Sequence, residues 1–217
     1  IIENKTFTTP EAQQEAREQA RAQRNKKIFI FSSIAILVIL VVAGAVYFLH
    51  ANAVNKANDA IGLADIETND SIRAAMYQKI ADDGSTAANE RAQLMVAIRA
   101  YNDSNYTKAI EYLDKTSVSS EIIGAGVYSL KGDCYANLNK LDEAISEYEN
   151  AVSKADGNPT ITPFVLIKMA NIYAQQQNYA KEYECYSTIR TDYQAYVQQA
   201  GINIDKYVER ARIRAGK

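Results

Sequence analysis

Tryptophan is absent from this 217-residue chain, and there are only one His, two Cys, three Pro and nine Gly. Structural zinc sites draw their ligands chiefly from His and Cys, and three such residues are too few for one. So little Pro and Gly excludes collagen-like chains and low-complexity linkers. It also favours helix, because these two residues weaken a helix most. The sequence holds no Cys-x-x-Cys pair, no Gly-rich loop to cradle a phosphate and no cluster with metal-ligand spacing, so no cofactor is expected. The charges nearly cancel, 24 Lys+Arg against 26 Asp+Glu, which excludes a nucleic-acid binder working through bulk positive charge. The length allows one ordinary domain with a small addition, or two small domains.

What is present is unevenly spread. Ile28 to Leu49 runs for 22 positions without a charge, and 15 of them are Ile, Leu, Val or Phe. At ~1.5 Å rise per residue such a helix reaches about 33 Å, enough to cross a hydrocarbon core of about 30 Å. The fifteen side chains together favour insertion by roughly 5–9 kcal/mol. Ala51-Asn52-Ala53 has the form of a signal cleavage site, but a signal core spans about 7–15 residues. This run is longer and follows a 27-residue polar segment, so an uncleaved transmembrane helix over 28–49 is expected. It contains no Gly-x-x-x-Gly, the spacing that lets membrane helices pair closely.

The flanks set the expected orientation. Lys5, Arg17, Arg21, Arg24, Lys26 and Lys27 precede the run, whereas residues 50–70 hold Lys56 against Asp59, Asp65, Glu67 and Asp70. Positive charge stays inside, which predicts a single pass with residues 1–27 cytoplasmic and residues 50–217 on the far side of the membrane. Thr9-Pro10-Glu11 reads as cap, first turn and acidic start of a helix in that cytoplasmic segment, and its basic end reads as ordinary positive-inside flanking charge, contact with anionic headgroups being the alternative. Because the chain starts at Ile1 and not Met, further residues are expected before it. Residues 50–70 read as a linker or an extension of the helix.

The remainder, 71–217, repeats. Ala97, Tyr101 and Asn105-Tyr106-Thr107-Lys108-Ala109-Ile110-Glu111-Tyr112-Leu113 align with Gly132, Tyr135 and Lys140-Leu141-Asp142-Glu143-Ala144-Ile145-Ser146-Glu147-Tyr148. A third set is Ala170, Tyr173 and Asn178-Tyr179-Ala180-Lys181-Glu182-Tyr183-Glu184-Cys185-Tyr186. The step from Ala109 to Ala144 is 35 residues, and from Ala144 to Glu182 it is 38, the longer one containing the loop Asp156 to Thr160. Each unit reads as two helices joined by a polar turn, with apolar residues at helical spacing. One hairpin cannot bury its apolar face alone, so stacking must supply the core. The repeats span about 90–123, 125–158 and 163–196. Ser71 to Ile80 reads as an added helix capped by Ser71, and 203–215 as a terminal capping helix with a polar outer face.

This pattern resembles the tetratricopeptide repeat family over about residues 86–190. The resemblance implies an all-α solenoid of about three repeats, with a concave groove lined by the first helices. Two departures stand out: Ala100, with Tyr101 one step late, replaces the usual Tyr of the first repeat, and Glu182 replaces a small residue in the third. With the anchor included, the chain resembles the bacterial ancillary translocon subunit (YfgM-like) family. The stretches Asp82 to Asn89, Asn105 to Leu113 and Gly132 to Tyr135 are similar to the versions in Bacteroidetes-type bacteria. That resemblance implies a periplasmic domain associated with the Sec translocon and with periplasmic folding factors.

By repeat position the groove is expected to hold Arg91, Leu94, Ile98, Tyr101 and Asn102, then Ser129, Asp133 and Asn137, then Ile167, Asn171 and Gln175. Asn102, Asn137 and Gln175 are suited to hydrogen-bond an extended backbone, and Leu94, Ile98, Tyr101 and Ile167 to take apolar side chains. Leu130 and Val165 stand where the two-cation clamp of chaperone-tail-binding members needs polar or basic groups, which disfavours a free C-terminal carboxylate as ligand. His50, at the membrane boundary, is remote in sequence from any triad partner. Cys134 and Cys185 fall on helices that are not direct neighbours in a regular stack, so buried free thiols are expected.

The expected function is therefore a non-enzymatic scaffold for Sec subunits, periplasmic chaperones or exported chains, with no nucleic acid and no small-molecule substrate. A scaffold of another envelope complex (secretion, division or outer-membrane assembly) is the nearest alternative, and a thiol-dependent accessory factor a more distant one.

Overall fold

The computed structural model describes residues 10–116 and 120–217, apart from the side chains of residues 11, 12 and 16. All its regular elements there are α-helices, and the chain divides into two compact units, Ile1–Asn55 and Lys56–Lys217. Helix α1, Pro10–Ile66, accounts for the described part of the first unit and continues into the second. Pro10 occupies its first position, where a missing N–H costs nothing. The cap expected at Thr9 lies outside the described residues.

In the first unit the apolar run is bare. No residue of the most apolar window of α1, whose mean hydropathy is 2.9, is buried among the described residues, and this is the one described helix long and apolar enough to cross a membrane. Its two hydroxyls are satisfied internally: Ser32 and Ser33 both donate to the Phe29 carbonyl, at 2.9 and 2.8 Å. Such back-bonding removes the cost of an unpaired hydroxyl in an apolar medium.

The second unit begins with Lys56–Ile66 of α1, so most of residues 50–70 is helix. Asn69, not the expected Ser71, caps α2 (Asp70–Asp82) and accepts from Ser71 and Ile72 N–H. Three helix pairs follow: α3 (Ala87–Asn102) with α4 (Tyr106–Lys115), α5 (Glu121–Asn137) with α6 (Leu141–Ala155), and α7 (Ile161–Gln175) with α8 (Tyr179–Asp192). A capping box between Thr86 and Asn89 starts α3. Short α9 (Gln194–Ala200) and terminal α10 (Ile204–Arg214) complete the unit.

The turn within each pair is built the same way. Ser104, Asn139 and Gln177 take left-handed backbone, with φ of 59, 58 and 60°. The next N–H reaches back five residues, from Asn105 to Ala100, Lys140 to Tyr135 and Asn178 to Tyr173, at 2.7, 2.9 and 2.8 Å. These closures satisfy carbonyls that a helix end leaves open. Asn105 and Asn178 then cap the second helix, whereas Lys140 has no side-chain oxygen and leaves α6 without a side-chain cap.

Small residues set the spacing. Ala97, Ala109, Ala144 and Ala170 have no exposed surface. Gly132 lies so close to Tyr148 that a Cβ would stand 2.4 Å from the ring. Ala100 is buried where an aromatic was expected, and Tyr101 instead packs edge-on against Tyr106, 5.6 Å between centroids. Glu182 occupies the small-residue position of α8 and is fully buried. Arg210 of α10 bonds it at 2.9 Å, and Arg214 lies 3.8 Å away. Two cations of the terminal helix thus turn to a buried carboxylate of the third repeat.

Candidate protein-binding surface

Of the eleven groove residues expected from repeat position, four line two hollows. Ser129 and Asp133 come together in a hollow of about 370 Å³ between α5 and α7, also lined by Ile122, Gly126, Phe164 and Lys168. Ile98 and Asn102 line a different hollow, of about 390 Å³, formed by α2, α3 and α4. Arg91 is spent on Asp65 at 2.8 Å. Leu94 and Ile167 are half-buried against the two halves of the core. Asn137 donates to the Asp133 carbonyl of its own helix at 2.8 Å, and Asn171 accepts from the Tyr186 hydroxyl at 3.2 Å. Gln175 is exposed at the end of α7.

The α5–α7 hollow is the better organised of the two. On α5, positions 122, 126, 129, 130 and 133 recur at helical spacing and so share one face. On α7 the facing set is 161, 164, 165 and 168. The floor is a closed polar network. Lys168 donates to Asp133 at 2.6 Å and to Ser129 at 3.1 Å, and the Tyr148 hydroxyl donates to Asp133 at 2.7 Å. Burial, and then the bond to Asp133, push the Tyr148 phenol well above its ordinary range, so it stays a donor. The Lys168 ammonium also sits 4.7 Å from the centre of the Phe164 ring. The mouth is apolar: Ile122 and Phe164 are largely exposed and Leu130 is half-buried. Tyr196 of α9 reaches its edge.

Position-by-position reading missed Lys168 and Phe164. A signal was available for Lys168, since a half-buried Asp133 inside a helix requires a nearby cation. Lys168 is no free clamp cation, because Asp133 already holds it.

A similar closed arrangement sits where the chains of α4, α5 and α6 meet. Lys131 bonds Asp114 at 2.8 Å and Glu147 at 2.9 Å. Burial lowers the affinity of this lysine for its proton, but the two carboxylates more than offset that and hold it above its ordinary value. These groups join successive repeats.

Cys134 and Cys185 are free and buried, and burial pushes both thiols up to about 12. Each is therefore protonated at neutral pH, whereas thiol chemistry needs the thiolate. Among the described residues no three His, Cys, Asp or Glu are grouped to hold a metal ion.

No protein-family model matches the chain, and no curated protein does. Two solved structures do. One, titled "Crystal structure of MamA protein", shares 16% identity over 77% of this chain and 94% of its own, with a TM-score of 0.51. The other, titled "Crystal structure of MamA", shares 18% identity over 66% of this chain and 87% of its own, with a TM-score of 0.47. At these identities the likeness concerns the fold, and with the paired helices and repeated turns described above it identifies the architecture as a tetratricopeptide-type helical repeat.

Proposed function

We propose that this protein is a membrane-anchored scaffold of the bacterial envelope, an ancillary factor that holds exported chains or periplasmic chaperones near the Sec translocon. In this reading residues 1–27 stay in the cytoplasm, 28–49 span the inner membrane and 71–217 work in the periplasm. The observation that carries it is the union, in one chain, of an uncovered apolar helix and stacked helix pairs that leave an open hollow. Charge asymmetry across the span supports the orientation. The resemblance of the anchor-plus-repeat layout to ancillary translocon subunits supports the partner.

No chemistry is assigned to it. The two thiols are protonated and buried, which weighs against the thiol-dependent alternative. Crosslinking in native membranes, mild solubilisation and capture through a C-terminal tag test the assignment. Sec channel subunits are the expected catch. Their absence, with subunits of another envelope machine in their place, would transfer the scaffold to that machine. Digestion by protease added to spheroplasts should remove the repeats, and their protection would reverse the orientation.

A further inference from the structure

Gly126 is out of place by helix chemistry. It lies in the middle of α5, where glycine weakens a helix relative to alanine. Packing among the described residues does not require it. A Cβ built at Gly126 meets nothing within 4 Å, whereas one built at Gly132, six residues on, would collide with Tyr148. The two glycines therefore have different reasons. Gly132 admits a neighbouring ring of the same chain. Gly126 opens onto the α5–α7 hollow, where Ile122 and Phe164 leave large apolar surfaces exposed. Bare backbone beside exposed apolar side chains suits a segment that lies directly against the helix.

The charge of the floor narrows what that segment is. Its one cation, Lys168, is bonded to Asp133 at 2.6 Å and supported by Ser129 and the ring of Phe164. A ligand carboxylate would have to break that pair, and a ligand ammonium would meet a carboxylate already taken by Lys168 and Tyr148. An uncharged apolar ligand disturbs none of it. We infer that the α5–α7 hollow seats an uncharged, apolar stretch of polypeptide, with one bulky side chain between Ile122 and Phe164 and its backbone against Gly126. This deepens the scaffold reading and rests on it, since unfolded exported chains carry such stretches.

The test uses the full chain in phosphatidylcholine nanodiscs and an acetylated, amidated peptide with Leu-Phe-Ile between Ser-Gly flanks, followed by titration calorimetry. The peptide should bind, and replacing Leu-Phe-Ile with serines should weaken it at least tenfold. Gly126→Leu should fill the hollow and weaken binding by a similar factor, while thermal unfolding occurs at an equal or higher temperature. Gly126→Ala, the smaller intrusion, should lie between. Binding that survives Gly126→Leu overturns the site. So does a peptide that binds better with Glu or Lys in place of Phe, or no binding by the parent protein. Sedimentation of the same samples covers another occupant: self-association lost in Gly126→Leu would make the hollow a contact between copies, and the inference would fall. Capture of Sec subunits by Gly126→Leu from native membranes separates the two readings, for the scaffold then stands even if the hollow is empty.

Discussion

The second and third repeats differ at three of four equivalent positions 38 apart. Gly132 corresponds to Ala170, Asp133 to Asn171, Ala144 to Glu182 and Tyr148 to Tyr186. In both, a Tyr of the second helix donates to a polar residue of the first, Tyr148 to Asp133 at 2.7 Å and Tyr186 to Asn171 at 3.2 Å. In the second repeat small residues close the interface, and the ring of Tyr148 rests on Gly132. In the third, one small residue has become a fully buried carboxylate, held by arginines of α10. The difference follows from what comes next. A repeat followed by another repeat meets an apolar helix, so a small apolar residue suffices. The last repeat meets a terminal helix with one charged side, and Glu182 suits that neighbour and no other.

Gly132→Ala puts this contrast under the heaviest load. The added methyl would overlap a ring whose hydroxyl is anchored on Asp133, so the ring cannot swing away freely. Overpacking of this kind costs about 3 kcal/mol. The converse change in the third repeat, Ala170→Gly, should cost about 1 kcal/mol through helix propensity, plus a small loss of packing. Urea unfolding of both variants measures the difference. Equal costs would mean that the close approach belongs to repeats in general and not to Gly132 and Tyr148.

Arg210→Ala comes next. It leaves Glu182 buried with only Arg214 at 3.8 Å. Removing one partner of a buried pair costs about 3–5 kcal/mol. The cost here should fall nearer 2 kcal/mol, because Arg210 is itself 41% exposed and a second arginine remains. Glu182→Ala should cost less, since both arginines can turn to water and no charge stays buried. The double variant should recover most of the Arg210→Ala loss, and a double-mutant cycle on unfolding free energies reports it. Additive losses would show that the ion pair does not fasten α10.

Acid addresses the opposite end of the repeat domain. The Tyr77 hydroxyl, opposed by partial desolvation and then helped by Arg91, lowers the carboxyl of Asp65, and Gln78 and Tyr112 lower that of Asp82. Arg99, aided by Arg73, lowers Asp70. A carboxyl with a depressed folded pKa contributes stability that is complete above its unfolded value, about 4, and fades as pH falls through the lower folded value. Amide exchange in α2 and α3 should therefore quicken as pH drops below about 4, with rates corrected for intrinsic pH dependence. Asp65→Asn and Asp82→Asn should flatten that dependence. The Gly132–Tyr148 contact is steric and serves as the reference within the same sample.

Much of this architecture can be read from the sequence, and the reason is periodicity. Ala109 and Ala144, 35 residues apart, locate two second helices, and the loop at Asp156 to Thr160 explains the longer second step. The apolar run likewise marks itself by length and lack of charge. The hollow is less legible because it depends on partners that no period reports. Asn137 and Asn171 sit in first-helix positions suited to a ligand, yet their amides serve Asp133 and Tyr186 of the same chain. Lys168 enters the hollow because Asp133, 35 residues earlier, pulls it there. The start of α2 differs from the sequence expectation for a similar local reason. Asn69 outcompetes Ser71 as a cap because its side chain reaches two N–H groups at once.

The turns offer the finest test of how alike the repeats are. Ser104, Asn139 and Gln177 all adopt left-handed backbone with φ near 60°, so the geometry is shared while the residue varies. A left-handed L-residue carries a steric cost of about 1–2 kcal/mol, less for Asn, whose short amide bonds locally, and none for Gly. Gln177→Gly should therefore stabilise by about 0.5–1 kcal/mol once the greater freedom of glycine in the unfolded chain is deducted. Asn139→Gly should gain no more than about 0.3 kcal/mol, because asparagine already tolerates the conformation. Neither change touches the backbone bonds that close the turns, Gln177 N–H to Ala174 and Asn139 N–H to Ala136. If both variants shift the unfolding midpoint equally, the residue at the turn is immaterial and the surrounding helices impose the conformation. If only Gln177→Gly does, the second repeat's turn is already suited to its shape and the third's is held there by its neighbours, the same division that separates Ala144 from Glu182.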